Sequence, residues 1–210
     1  MFARSTWIQA RLSSLDAGVA MIRNDVLPAV QAMDGCIGLS MMADRHSGRL
    51  IVTSAWESRD AMRASDAAVA HLRERAGKML GGEPYVEEWE IAALHRNHHS
   101  HQGACARVVW MHGLPPATPE KIEKGRDFFR MVMLPTLEQT EGFCSASLFL
   151  DPATMRSVST VVWDSRAAME ASRDSAAKLK ESARTQLAVD ILDVAEFDLL
   201  IAHLRAPEMV

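Results

Sequence analysis

The chain has 210 residues, 48% hydrophobic and 24% charged, with a formal net charge of −4. That length can bury a full core without staples and holds one large domain or two small ones. The acidic balance speaks against a nucleic-acid partner, the lack of a long apolar run against a membrane span, and three scattered cysteines (Cys36, Cys105, Cys144) for a reducing cytoplasm over a disulfide frame.

Residues 7–12 read as a strand. Asp16 then precedes Val19, Ile22, Val26 and Val30 at helical spacing, which predicts an Asp-capped amphipathic helix, loosened at Pro28 and ended by Asp34-Gly35. Residues 37–43 and 49–56 form a hairpin across the turn at 44–48. Ser58 opens an alanine-rich helix to about residue 79. Gly81-Gly82-Glu83-Pro84 breaks it, and residues 85–94 alternate as a last strand. The order β-α-β-β-α-β is the ferredoxin-like unit. After a polar segment carrying His95, His98, His99 and His101, the same order returns at residues 105–113, 120–139, 143–150, 156–163, 166–184 and 191–203.

Residues 27–65 and 134–172 are one passage written twice, at a constant offset of 107 (135 − 28, 163 − 56). Leu27-Pro28 returns as Leu134-Pro135 and Gly35 as Gly142, and Trp56-Glu57-Ser58-Arg59 returns as Trp163-Asp164-Ser165-Arg166. The first loop is longer in the second copy, through the Pro-rich run from Leu114 to Pro119. Each unit exposes one apolar sheet face that the other copy can cover. The expected fold is therefore α+β: two tandem ferredoxin-like repeats packed sheet to sheet, with a pseudo-twofold axis. The expected boundaries are 1–95 for the first repeat, 96–103 for a His-rich linker and 104–210 for the second repeat.

Asp34-Gly35-Cys36-Ile37-Gly38 and Glu141-Gly142-Phe143, followed by Trp56-Glu57-Ser58-Arg59-Asp60-Ala61-Met62, resemble the antibiotic biosynthesis monooxygenase-like domains of the dimeric α/β-barrel superfamily. The family pattern is Pro-Gly-Phe-x-Gly entering the second strand and Trp-Glu-Ser-x-x-Ala leaving the third. The resemblance implies an intrachain version of a barrel that family members build from two chains, with a further homodimer left open. Trp56 and Trp163 then serve as large apolar plugs, and Ser58 and Ser165 as helix caps. The haem-degrading branch carries an Asn on the first strand and a Trp and a His on the second helix. Those positions here hold Trp7 and Trp110, then Ser65 and Ser172, while His71 falls too early on the helix and is matched by Lys178. Haem is therefore not expected, and no cofactor or metal is assigned.

Cofactor-free members oxidise electron-rich phenols or quinols, which needs only a dry pocket and a few polar groups. Alternation places Trp7 with Gln9, and Trp110 with His112, on one strand face. His112 is the candidate catalytic base; Trp7, Gln9, Trp110 and His71 are the candidate substrate-binding residues. The second half is favoured for the site, through His112 and the Pro-rich loop as a lid. The linker histidines sit in a polar segment with no cysteine or acidic partner expected close by, and read as a surface segment with adventitious metal affinity. The expected function is a cytoplasmic, cofactor-independent monooxygenase-like protein taking a small hydrophobic, aromatic or polyketide-like molecule, with no nucleic-acid or membrane partner. The alternative is a non-catalytic ligand-binding or stress-associated member of the same fold.

Overall fold

The computed structural model describes residues 1–114, 116 and 118–204. Strand β1 (Phe2–Gln9) leads through a 3-10 turn into α1 (Leu15–Met21) and α2 (Leu27–Gln31). Asp16 lies inside the first turn of α1, not at its cap, where its charge still complements the helix N-terminus. Between the two helices lies one wide π turn, Ile22–Val26. Pro28 has no N–H to return to the preceding turn, and the widened turn absorbs that missing bond without ending the helix. The expected loosening takes this form in both copies, since α5 (Pro119–Phe128) and α6 (Leu134–Glu138) flank the same π turn at Phe129–Met133.

Strands β2 (Cys36–Ala43) and β3 (Arg49–Trp56) form the hairpin. The long helix expected after Ser58 is two helices, α3 (Arg59–Ala64) and α4 (Asp66–Leu80). Ser58 Oγ caps the first by accepting from Ala61 N at 3.0 Å, and Ser65 Oγ marks the break by donating to Met62 O at 2.7 Å. β4 (Tyr85–Arg96) follows, and the second copy continues with β5 (Cys105–Gly113), β6 (Phe143–Asp151), β7 (Arg156–Trp163), α7 (Arg166–Ala171), α8 (Arg173–Leu187) and β8 (Val189–Leu204). Hydrogen bonds join β1, β3, β2 and the end of β8 in that order, and β5, β7, β6 and the end of β4 in that order, all antiparallel. No helix among the described residues is long and apolar enough to cross a membrane.

The chain divides into two compact units: Met1–Trp89 with the described chain from Phe197 onward, and Glu90–Glu196. β4 and β8 are each cut by this division. In the first unit the helices bury Leu15, Val19, Ile22, Val26, Val30, Val69 and Leu80 on a sheet face that carries Ile8, Leu39, Met41 and Trp56. In the second, Phe129, Leu134 and Leu137 meet Phe143, Ala146, Val161 and Trp163.

The two family motifs touch each other, which explains their pairing. Gly35 (φ 71°) and Gly142 (φ 75°) adopt the left-handed conformation, and a Cβ on them would lie 2.6 Å and 2.8 Å from the Cβ atoms of Ala61 and Ala168. The entry glycine thus needs both its backbone freedom and its missing side chain, because the alanine of the Trp-Glu-Ser element packs on it. Trp56 and Trp163 beside them are 0% and 1% exposed.

Helix α4 ends on left-handed Gly81 (φ 79°), whereas α8 ends on left-handed Ala188 (φ 52°). An alanine there costs about 1 kcal/mol relative to glycine. Ala188→Gly is expected to stabilise the protein by that amount, read as a higher urea midpoint with unchanged slope.

Candidate functional site

Helices α5, α6 and α8 and the sheet of the second unit enclose a cavity of about 140 Å³. Its wall is apolar, built from Val109, Met111, Phe129, Leu148, Val161 and Leu179 among others. The polar exceptions are Ser157, Ser159, the indole of Trp163 and four cations, Arg107, Lys121, Arg126 and Lys180. No Asp, Glu, His, Tyr or Cys lines it among the described residues. In the first unit the corresponding space, between Ile8, Val26, Val52, Val69 and Ala76, holds only about 40 Å³.

The glycines of the paired helices show how the copies differ. Gly18 on α1 and Gly125 on α5 are equivalent (125 − 18 = 107). A Cβ on Gly18 would collide with Leu80 Cδ2, whereas nothing lies within 4 Å of one on Gly125. Fully buried Leu80 seals the first unit against α1; its counterpart Leu187 lines the second cavity instead. Gly18→Ala is therefore expected to destabilise by about 1–2 kcal/mol, overpacking outweighing helix propensity. Gly125→Ala is expected to stabilise by up to about 1 kcal/mol. Paired thermal melts check both.

The cavity contains an orphaned donor. Trp56 Nε1 donates to Ser54 Oγ at 3.0 Å. At the position of Ser54 the second copy has Val161, and Trp163 Nε1 is buried with no hydrogen-bond partner among the described residues. Both Val161 and Trp163 line the cavity. An unmet buried N–H costs about 1–3 kcal/mol, which a ligand oxygen would recover.

Arg107, 5% exposed, anchors the polar side. Its Nε and Nη2 donate to Glu196 Oε1 at 3.1 and 2.9 Å, Nη1 to Ser172 Oγ at 3.0 Å, and Nη2 to Met169 O at 2.8 Å. Its guanidinium carbon lies 5.2 Å from the Trp163 ring centre, a cation–π contact. Arg4 repeats the arrangement with Glu88 and Ser65.

The residues expected from the sequence lie elsewhere. Trp110 and His112 alternate with Arg107, Val109 and Met111, so they occupy the other face of β5 and do not line the cavity. Trp110 is buried, and His112 Nε2 lies 3.1 Å from Thr154 O at the strand end. Trp7 Nε1 donates to Glu87 Oε2 at 3.0 Å, Gln9 Nε2 donates to Ser47 O, and His71 is exposed on α4. None of these three lines the smaller space. In the loop expected as a lid, Pro115 and Ala117 lie outside the described residues. Lys121 Nζ donates to Leu114 O and Pro116 O, both at 3.0 Å. Of the residues around this cavity, the sequence singled out Trp163 only as an apolar plug, and Arg107 and Val161 not at all. The exchange of Ser54 for Val161 in otherwise matching copies was the signal available for them.

A second cluster corrects the reading of the linker. His98 Nε2 and His101 Nε2 lie 3.0 and 3.1 Å from Asp164 Oδ1, and the Cys144 thiol donates to the same oxygen at 3.1 Å. An acid and a cysteine are therefore beside these histidines in space, though distant in sequence. Burial first, and Asp164 second, push the Cys144 thiol up to about 12. The hydrogen bond from His98, chiefly, holds the Asp164 carboxyl below its ordinary range.

The profile of the antibiotic biosynthesis monooxygenase family matches residues 20–77. The chain carries a domain of that family over those residues. Its second half carries the same Trp-x-Ser-x-x-Ala element and the same π turn, so the family unit occurs twice. Among curated proteins, the chain is 49% identical over 211 residues to Rv2558, an uncharacterized protein of Mycobacterium tuberculosis, covering 100% of this chain and 88% of that one. Among solved structures of the family's fold, a candidate monooxygenase of Lactobacillus acidophilus NCFM superposes with a TM-score of 0.70 at 8% identity, over 100% of this chain and 98% of that one. An anthrone oxidase-like protein superposes with a TM-score of 0.64 at 15% identity, over 99% and 94%. At those identities the likeness is one of fold.

Proposed function

We propose that the second half of this antibiotic biosynthesis monooxygenase-family protein binds a small planar aromatic molecule of the phenol, quinol or polyketide-like class and oxidises it with molecular oxygen, without a bound cofactor. The observation that carries this reading is the cavity of about 140 Å³ with the orphaned Trp163 N–H in its wall. An apolar cavity of about 150 Å³ accommodates a benzene-sized ring. A larger ligand would extend past Gly125 and Lys121.

The cationic lining fits the chemistry. A phenol or anthrone becomes reducing once deprotonated, and nearby positive charge favours its anion. For an anthrone, the CH₂ carbon loses a proton and the carbanion passes one electron to oxygen. A C–O bond then forms, the O–O bond breaks, and the CH₂ ends as C=O with release of water. The protein's share is to exclude water, hold the ring and offer Trp163 Nε1 to an oxygen of the substrate.

The second reading, a non-catalytic binder, is favoured by one specific observation: among the described residues the lining has no Asp, Glu, His or Tyr to take the proton. A panel of anthrones and quinols, followed by oxygen uptake and by binding calorimetry, separates the two. Binding with stoichiometric oxygen uptake supports the enzyme. Binding without uptake supports the binder, and neither sinks both readings.

Haem is expected to give no defined complex, since among the described residues no His, Cys or Tyr in the cavity wall could serve as axial ligand. Haemin titration of a variant with His95, His98, His99 and His101 all changed to Ala checks this. A sharp equimolar Soret shift would count against it.

A further inference from the structure

We infer that His98, Cys144 and Asp164, with His101 as a fourth donor, form a site for a divalent cation of the zinc class. The inference rests on geometry and on donor chemistry. His98 Nε2, Cys144 Sγ and a carboxylate oxygen of Asp164 lie within 4.8 Å of one another. His101 Nε2 is 3.1 Å from the same Asp164 oxygen. The ligand atoms around a four-coordinate zinc are about 3.4 Å apart, so the donors already stand near that spacing from Asp164 Oδ1. Thiolate, imidazole and carboxylate are a borderline-soft mixture that suits zinc and not magnesium or calcium.

The backbone holds the donors in place. Asn97 N and His98 N donate to Cys144 O at 2.8 and 3.3 Å, which pins the histidine segment to β6. Asn97 Nδ2 donates to Phe143 O at 3.2 Å. Asp164 N donates to Gly142 O at 2.8 Å, tying the Trp-Asp-Ser-Arg turn to the start of the same strand. In this state the donors meet on one carboxylate oxygen. A cation would take their lone pairs instead: the thiol proton goes to solvent, each ligating imidazole carries its one proton on Nδ1, and the Asn97 amide, whose Nδ2 now lies 3.2 Å from His98 Nδ1, would turn its oxygen to that proton.

The site belongs to the second copy alone. At the positions of Cys144 and Asp164 the first copy has Ile37 and Glu57. None of the donors lines the cavity described above, so the metal would fasten the segment after β4 to β6 and the Asp164 turn and need not enter the oxidation chemistry.

The test uses the full chain, freed of metal by chelator, titrated with Co(II) and then Zn(II). The expected result is one equivalent of Co(II) bound with a thiolate-to-cobalt charge-transfer band and intense four-coordinate visible bands, both abolished by one equivalent of Zn(II). Cys144→Ser should remove the charge-transfer band, and Asp164→Asn and His98→Ala should each weaken zinc at least about tenfold. His99→Ala should change nothing. Circular dichroism checks that each variant is folded, and Asp164→Asn carries the test if Cys144→Ser is not. Absence of the charge-transfer band from the wild-type protein, or binding that survives Cys144→Ser and Asp164→Asn but falls with His99→Ala, would overturn the inference and leave surface histidines only.

Discussion

Replacing Arg107 with methionine is expected to destabilise the protein by about 3 kcal/mol, a fall in Tm of roughly 10 °C for a chain of this size. Methionine keeps much of the aliphatic volume, so the loss isolates the charge and its bonds. Four donor contacts disappear together: two to Glu196, one to Ser172 and one to Met169 O. The side chain of Glu196 is 24% exposed and retains Arg173 at 3.3 Å, which limits the penalty of leaving it behind. The larger part comes from the lost charge-assisted bonds to the buried Met169 carbonyl and Ser172 hydroxyl, which keep only their 2.7 Å bond to each other, and from the lost cation–π contact with Trp163. Adding Glu196→Gln should return part of the loss, because the stranded carboxylate goes with it. A fall of under about 2 °C would show that the guanidinium is solvated rather than structural.

The second large effect is expected at Ala183, which lines the second-half cavity from α8 and is 6% exposed. Ala183→Phe places a phenyl ring in a space that suits one such ring. Ligand binding should fall at least about a hundredfold, the whole of an apolar contact worth about 3 kcal/mol, with Tm held or raised. The same change at Ala76, its equivalent in the first half, meets only about 40 Å³. Ala76→Phe should instead overpack and cost about 1–3 kcal/mol while leaving affinity alone. Calorimetry with a bound quinol or anthrone, beside thermal melts, reads both. Equal loss of affinity in the two variants would place the ligand elsewhere.

The architecture was legible because its signals are local or repeated. The offset of 107 needs no tertiary knowledge, and Leu-Pro, Ser58 and Ser165 each act within one turn of helix. Helix-breaking at Ser65 and Ser172 was not legible, since serine tolerates a helix interior and its turn-making bond to residue 62 or 169 depends on local geometry. The cavity was harder for a different reason. Alternation along β5 separates Arg107, Val109 and Met111 from Trp110 and His112, but does not say which set faces the helices. Large Trp110 and titratable His112 drew attention to the face that turned out to lie away from the cavity. Gly125 carries no signal by itself, since Gly18 is identical and differs only in where Leu80 rests. The cluster around Asp164 joins residues up to 66 positions apart, which no spacing rule on the linker histidines could reveal.

The central claim is that a small oxygen-bearing aromatic ligand enters the second half and meets the indole N–H of Trp163. The chain has five tryptophans, so a nitrogen-15-edited proton spectrum resolves five indole N–H signals at most. Assigned by single Trp→Phe changes and titrated with the best ligand of the anthrone and quinol panel, the Trp163 signal should move downfield as it gains an acceptor, while that of Trp56, already bonded to Ser54, stays in place. Movement of Trp56, Trp7 or Trp110 with Trp163 unchanged would contradict the account.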